Sequence, residues 1–152
     1  MKSLLFVGAG GFIGACARYL ITKALDALPL RFAAGARGPG AIAGFFMWLV
    51  AGNGGQKAAL PLGTLASNVI AGFFVGLIIG SGSRETALPA DARLFLTTGL
   101  LGGLSTFSTF SLETAHMLES GQYAHALANA ALNLGLSLLC VFAGFGAAKW
   151  LR

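Results

Sequence analysis

Gly99-Leu100-Leu101-Gly102-Gly103-Leu104-Ser105-Thr106-Phe107-Ser108-Thr109-Phe110 lies in the middle of an apolar segment, about 94–118, that is long enough to cross a bilayer. Glycine loses the most backbone freedom on ordering, so the glycines weaken the helix here, and a break is expected at Gly102-Gly103. Ser105, Thr106, Ser108 and Thr109 crowd the same place. Phe107 and Phe110, at i and i+3, share one face of the helix that resumes after the glycines. Backbone groups freed inside a membrane must be buried in protein or line a water-filled or ion-binding cavity. The stretch therefore reads either as an ion site with its permeation lining beside it, or as a packing helix whose hydroxyls bond their own backbone.

Composition sets the solvent. Of the 152 residues, 56% are hydrophobic and 10% charged, and the mean hydropathy is +0.79. A soluble domain carries about a quarter charged residues. The expectation is an all-α membrane protein forming one domain, 1–152. The net charge of +5 does not indicate nucleic acid, because the basic residues are scattered and flank apolar segments as snorkelling anchors do. Cys16 and Cys140 lie inside apolar segments, as buried thiols rather than a disulfide. Met1-Lys2-Ser3 and the apolar run behind it resemble a signal peptide. That run extends too far, contains Arg18 and offers no convincing cleavage site, so it is read as a retained helix.

Four segments have the roughly 20 apolar residues that a spanning helix needs: about 3–25, 62–81, 94–118 and 123–149. In the first, Gly10, Gly14 and Arg18 form one stripe at four-residue spacing, a pattern that lets backbones approach closely. Arg18 either snorkels to headgroups or faces a protein vestibule, and the shared stripe favours the vestibule. In the second, Asn68, Gly72, Gly76 and Gly80 repeat that spacing with an amide at the head. In the fourth, Asn129, Asn133 and Ser137 make a polar stripe, either interhelical glue or a track beside a pore. Glu113 and His116 carry the third helix towards water. The connection from Pro29 to Pro61 holds an apolar run, 41–51, too short to span, with Trp48 suited to headgroup level.

Four spans put both termini on one side. Lys2, Arg84, Arg93, Lys149 and Arg152 then flank one face, and Lys23, Arg31, Arg37 and Lys57 the other, five against four. The positive-inside rule chooses no orientation at so small a difference. A chain without a preferred orientation inserts both ways, which suggests an antiparallel homodimer with membrane lipid around it. Four helices are also few to enclose an ion path alone.

Three motifs now coincide: Gly-Gly-Phe-Ile-Gly-Ala-Cys-Ala-Arg-Tyr at 10–19, Gly-Thr-Leu-Ala-Ser-Asn-Val-Ile-Ala-Gly-Phe at 63–73, and the opening stretch extended to Glu113. Together they resemble the Fluc (CrcB-like) fluoride channel family, across all four helices. The resemblance implies a dual-topology antiparallel homodimer in the cell inner membrane, with two fluoride pores and a structural sodium ion on the two-fold axis. Carried over by position, the backbone carbonyls of Gly102 and Ser105 would hold sodium, and Phe107 and Phe110 would be the pore rings. Asn68 would be the amide facing fluoride, with Ser108, Thr109 and the polar face of helix four adding contacts. Arg18 and Glu113 would stand near pore entrances. Ser105 departs from the Thr of many members, which a backbone ligand tolerates. The Pro29–Pro61 connection is longer than the family's usual short loop.

An aromatic ring is positive at its edge, so two ring edges with amide and hydroxyl donors could replace part of a small anion's water shell. The competing reading is a small dual-topology exporter coupling a cation or drug to protons. It needs a carboxylate deep in the membrane, and Glu113, towards a helix end, is its candidate. A non-transporting scaffold would account for the glycine stripes but not for the hydroxyl–phenylalanine cluster. An enzyme is not favoured, because neither His116 nor His125 stands beside a nucleophile motif.

Overall fold

The computed structural model describes residues 1–26, 60–81 and 88–151. The apolar run 41–51 and Arg84 lie outside them. Among the described residues every regular element is helical: α1 (Lys2–Asp26), α2 (Leu62–Ser81), α3 (Ala90–Leu94), a π-helix (Phe95–Leu101), α4 (Gly102–Leu104), α5 (Phe107–Glu119) and α6 (Tyr123–Trp150). Among the described residues three helices are long and apolar enough to cross a membrane: Lys2–Leu25, Leu62–Ser81 and Tyr123–Trp150. At 1.5 Å per residue each is about 30 Å or longer, the thickness of a hydrocarbon core.

The segment expected as a broken third span over 94–118 is divided. Its interruption lies at Ser105 and Thr106, whose backbones are extended (φ −73°, ψ 152° and φ −152°, ψ 115°). Gly102 and Gly103 are helical, so the expected break at that pair is displaced by three residues. The physical reason is capping. Thr106 stands at the N-cap of α5, and its side-chain oxygen accepts from the Thr109 N–H at 3.2 Å. A hydroxyl in that position ends one helix and starts the next. Gly103, with Gly14 of α1, serves close approach instead. A Cβ on Gly103 would sit 2.6 Å from the Gly11 carbonyl oxygen, and one on Gly14 would collide with the Leu100 carbonyl. Thus α1 lies backbone to backbone against the π-helix and α4.

The most extensive packing is between α2 and α6. The small-residue stripes account for it: a Cβ at Gly76 would strike the Val141 carbonyl, and one at Gly144 would strike the Phe73 carbonyl. A short turn reverses the chain between α5 and α6. Gly121 has φ +73°, the Gln122 N–H reaches the Met117 carbonyl at 2.8 Å, and the Gly121 N–H reaches that of Leu118 at 3.0 Å. This pairing closes a helix on a left-handed residue, which favours glycine there. The apolar centre is small, formed by Ala71, Leu101 and Leu104 with Ala17, Ile21, Val75 and Ile78 around it. Large apolar side chains such as Phe12, Leu20, Leu127, Leu134 and Phe142 point outward. Both cysteines are free thiols, and Cys16 is exposed on α1 rather than buried as expected.

Candidate anion groove

Asn68 on α2 grips the interrupted backbone. Its Oδ1 accepts from the Thr106 N–H at 2.8 Å, and its Nδ2 donates to the Thr106 carbonyl at 3.4 Å. The same Nδ2 donates to Asn133 Oδ1 at 2.9 Å. Asn133 Nδ2 donates to Asn129 Oδ1 at 2.9 Å and to the Asn129 carbonyl at 3.1 Å. Asn129 Nδ2 donates to Thr114 Oγ1 at 2.9 Å, and Thr114 Oγ1 donates to the Phe110 carbonyl at 2.8 Å. This polar ladder runs through the interior, where Asn129, Asn133, Thr106 and Phe110 are all buried. Buried amides are costly unless bonded, and here each finds a partner.

An open groove of about 320 Å³ lies beside the ladder, between α2, the start of α5 and α6. Asn68, Ser105, Thr106, Phe107, Phe110, Asn133 and Ser137 line it, with small and apolar residues filling the rest of the wall. The rings of Phe107 and Phe110 stand 5.5 Å apart with their planes at 57°. Phe110 is buried at 8% exposure, whereas Phe107 is 73% exposed in the single chain. Ser137 lines the groove, and its hydroxyl oxygen is buried and bonds nothing among the described residues.

Arg18 and Thr109 belong to a second cavity, of about 220 Å³, shared with Ala15, Tyr19, Thr22 and Thr64. There Arg18 Nη1 donates to Thr109 Oγ1 at 3.4 Å, and Thr109 Oγ1 accepts from Thr106 Oγ1 at 2.9 Å. The Thr64 hydroxyl donates to Glu113 Oε1 at 2.7 Å. Ser108 is exposed, its hydroxyl 3.4 Å from that of Thr106. Of the residues picked from the sequence, Asn68, Ser105, Phe107, Phe110, Asn133 and Ser137 line the first cavity and Arg18 and Thr109 the second, whereas Gly102, Ser108, Glu113 and Asn129 line neither. Thr64, Thr106 and Thr114 were missed. Thr64 stands one helical step before Asn68 on the same stripe, and Thr106 carries an N-cap signature, so both had a signal. Thr114 had none.

The interruption changes which donors face the carbonyls of Gly102 and Ser105, the pair expected to contribute to a cation site. A continuous helix would aim the Thr106 N–H at the Gly102 carbonyl and the Thr109 N–H at the Ser105 carbonyl. Here those donors turn to Asn68 Oδ1 and Thr106 Oγ1. The two carbonyl oxygens are released from these helical donors, and hard oxygens suit a hard cation.

The fold and the groove define a multi-pass helical membrane protein with an open, ring-lined groove carrying amide and hydroxyl side chains. The family model described as CrcB-like protein, Camphor Resistance (CrcB), matches residues 5–145. A protein of Serratia proteamaculans named "Fluoride-specific ion channel FluC" is 36% identical over the whole chain and 98% of its own length. Proteins of the same name from Clostridium novyi and Rhizobium meliloti are 36% and 35% identical, over 92% and 95% of this chain and 88% and 94% of their own. The chain belongs to the CrcB family.

Proposed function

We propose that this chain is a fluoride-selective channel that lets fluoride leave the cell passively across the inner membrane. The observation that carries the reading is the convergence of Asn68, Phe107, Phe110, Asn133 and the unbonded Ser137 hydroxyl on one groove. Fluoride is small and strongly hydrated, so a selective path must bring donors close enough to stand in for water. Two tilted rings offer positive edges. Ser137 offers a hydroxyl proton. Asn68 offers its Nδ2, whose 3.4 Å bond to the Thr106 carbonyl is the longer of its two and the one an anion displaces. Arg18, beside Thr109 in the second cavity, raises the local concentration of anions at an entrance.

The working unit in this reading is an antiparallel homodimer, in which α3, the π-helix, α4 and α5 make one interrupted crossing. Phe107 and Gly102 are exposed in the single chain, and a second copy would cover them. Sodium held by the carbonyls of Gly102 and Ser105 would supply fixed positive charge near the rings and offset the cost of an anion there.

The test is reconstitution in liposomes with a fluoride electrode. Fluoride efflux without any proton gradient, and far exceeding chloride efflux, is expected. Equal chloride and fluoride fluxes would reject selectivity. Movement only under a proton gradient would favour the exporter.

A further inference from the structure

Asn129 and Thr114 line neither cavity, yet they belong to the same hydrogen-bonded chain as the groove's amides. The sense of that chain is set at one end. A backbone N–H only donates, so Asn68 must present its oxygen to Thr106 and its NH2 to Asn133. Asn133 then accepts on Oδ1 and donates from Nδ2 to Asn129. Asn129 in turn donates to the Thr114 oxygen, which leaves the hydroxyl proton for the Phe110 carbonyl. Each amide's orientation follows from its neighbour's. Flipping one alone would set donor against donor or oxygen against oxygen.

The two ends of the chain matter most. It begins at the Thr106 N–H and finishes at the Phe110 carbonyl. These are the limits of the opening turn of α5, the turn on which Phe107 and Phe110 both stand. We propose that Asn129 and Thr114 are positioning residues of the groove. They lock the amides of Asn133 and Asn68 in one orientation and hold the ring-bearing turn from behind, without meeting the ion. Asn129 is 1% exposed, so solvent does not replace a lost link. The expectation of Asn129 as part of a track lining the pore gives way to a supporting role. This inference rests on the groove being the fluoride path.

The experiment compares the parent, Thr114→Ser, Thr114→Val and Asn129→Leu, reconstituted as full-length protein. Fluoride efflux, the fluoride-to-chloride ratio and amide hydrogen exchange at Thr106 are read on the same preparations. Thr114→Val should lose about tenfold in fluoride efflux, since small misplacements of positioned groups cost that much or more. Its selectivity should also fall, and exchange at Thr106 should quicken. Thr114→Ser keeps the hydroxyl and should restore all three readings towards the parent. Asn129→Leu should resemble Thr114→Val, and combining the two should add little, because both break one chain. A Thr114→Val protein that conducts and discriminates like the parent overturns the proposal. So does a Ser variant as impaired as the Val variant. Should valine block assembly, Thr114→Ala removes the hydroxyl without branching and is scored in the same way. Loss of assembly in both would assign the pair to folding and overturn the positioning role. A parent that passes no fluoride would instead sink the functional reading.

Discussion

The Thr64 hydroxyl donates to Glu113 Oε1 at 2.7 Å and ties α2 to α5, bonding the one carboxylate on which a proton-coupled mechanism would have to turn. Glu113→Gln keeps an amide oxygen to accept from Thr64, so the tie survives without a titratable group. Thr64→Val removes the donor and should lower stability by about 1–3 kcal/mol, the range for a polar group left short of a bond. Thermal unfolding in detergent should therefore rank the parent with Glu113→Gln above Thr64→Val. Fluoride efflux from Glu113→Gln vesicles should stay indifferent to an imposed proton gradient. Gradient-driven efflux in the parent that vanishes in Glu113→Gln would establish the exporter.

Gly102 and Gly103 are neighbours in sequence and opposites in packing. A Cβ at Gly102 meets only the Thr97 carbonyl, at an ordinary 3.6 Å, whereas one at Gly103 comes within 2.6 Å of the Gly11 carbonyl. Gly103→Ala should destabilise the protomer by forcing α1 away from α4, by about 1–3 kcal/mol as for an overpacked site. Gly102→Val should leave the protomer folded and lower the dimer fraction, since that residue is exposed in the single chain and the proposed second copy would cover it. Size-exclusion chromatography with thermal unfolding separates the two effects. A Gly102→Val protein with normal dimer content would remove Gly102 from the dimer axis.

The long apolar helices were legible because a spanning helix advertises itself by length: the segments 3–25, 62–81 and 123–149 match Lys2–Asp26, Leu62–Ser81 and Tyr123–Trp150 to within a residue or so. The interrupted segment was read less well. Helix propensity pointed at Gly102-Gly103, but propensity yields to tertiary packing: Gly103 is spent on contact with α1, and Gly102 stays helical. The capping hydroxyl of Thr106 was the better signal. The π-helix over Phe95–Leu101 has no sequence signature, since it differs from an α-helix only in hydrogen-bond register. The stripe Asn129-Asn133-Ser137 was visible as periodicity. That Asn133 meets Asn68 and Asn129 meets Thr114 was not, because the partners lie 65 and 15 residues away.

Orientation can be tested at Leu88, which is 45% exposed just before α3. With Cys16 and Cys140 replaced, Leu88→Cys should react with a membrane-impermeant maleimide from both sides of sealed vesicles, in comparable amounts. The near balance of basic flanking residues leads to that expectation. Labelling from one side alone would rule out the antiparallel arrangement, and with it the covering of Phe107 by an inverted copy.

Phe107 and Phe110 share the groove but differ in what else they hold up. Phe110 is buried and stands at the end of the amide ladder, so Phe110→Ile removes packing as well as a ring edge. The volume lost and the changed shape should cost about 1–2 kcal/mol of stability. Phe107 is mostly exposed in the protomer, so Phe107→Ile should scarcely change protomer unfolding. Both variants should form dimers, because the glycine contacts and the freed carbonyls of Gly102 and Ser105 are untouched. Both should pass fluoride far more slowly than the parent, since isoleucine keeps an apolar surface and loses the polarised edge. The comparison is decisive for Phe107, where stability is not at issue. A Phe107→Ile dimer with the parent's fluoride efflux would make that ring packing alone, and the path would then have to run along Ser137 and the amides without it.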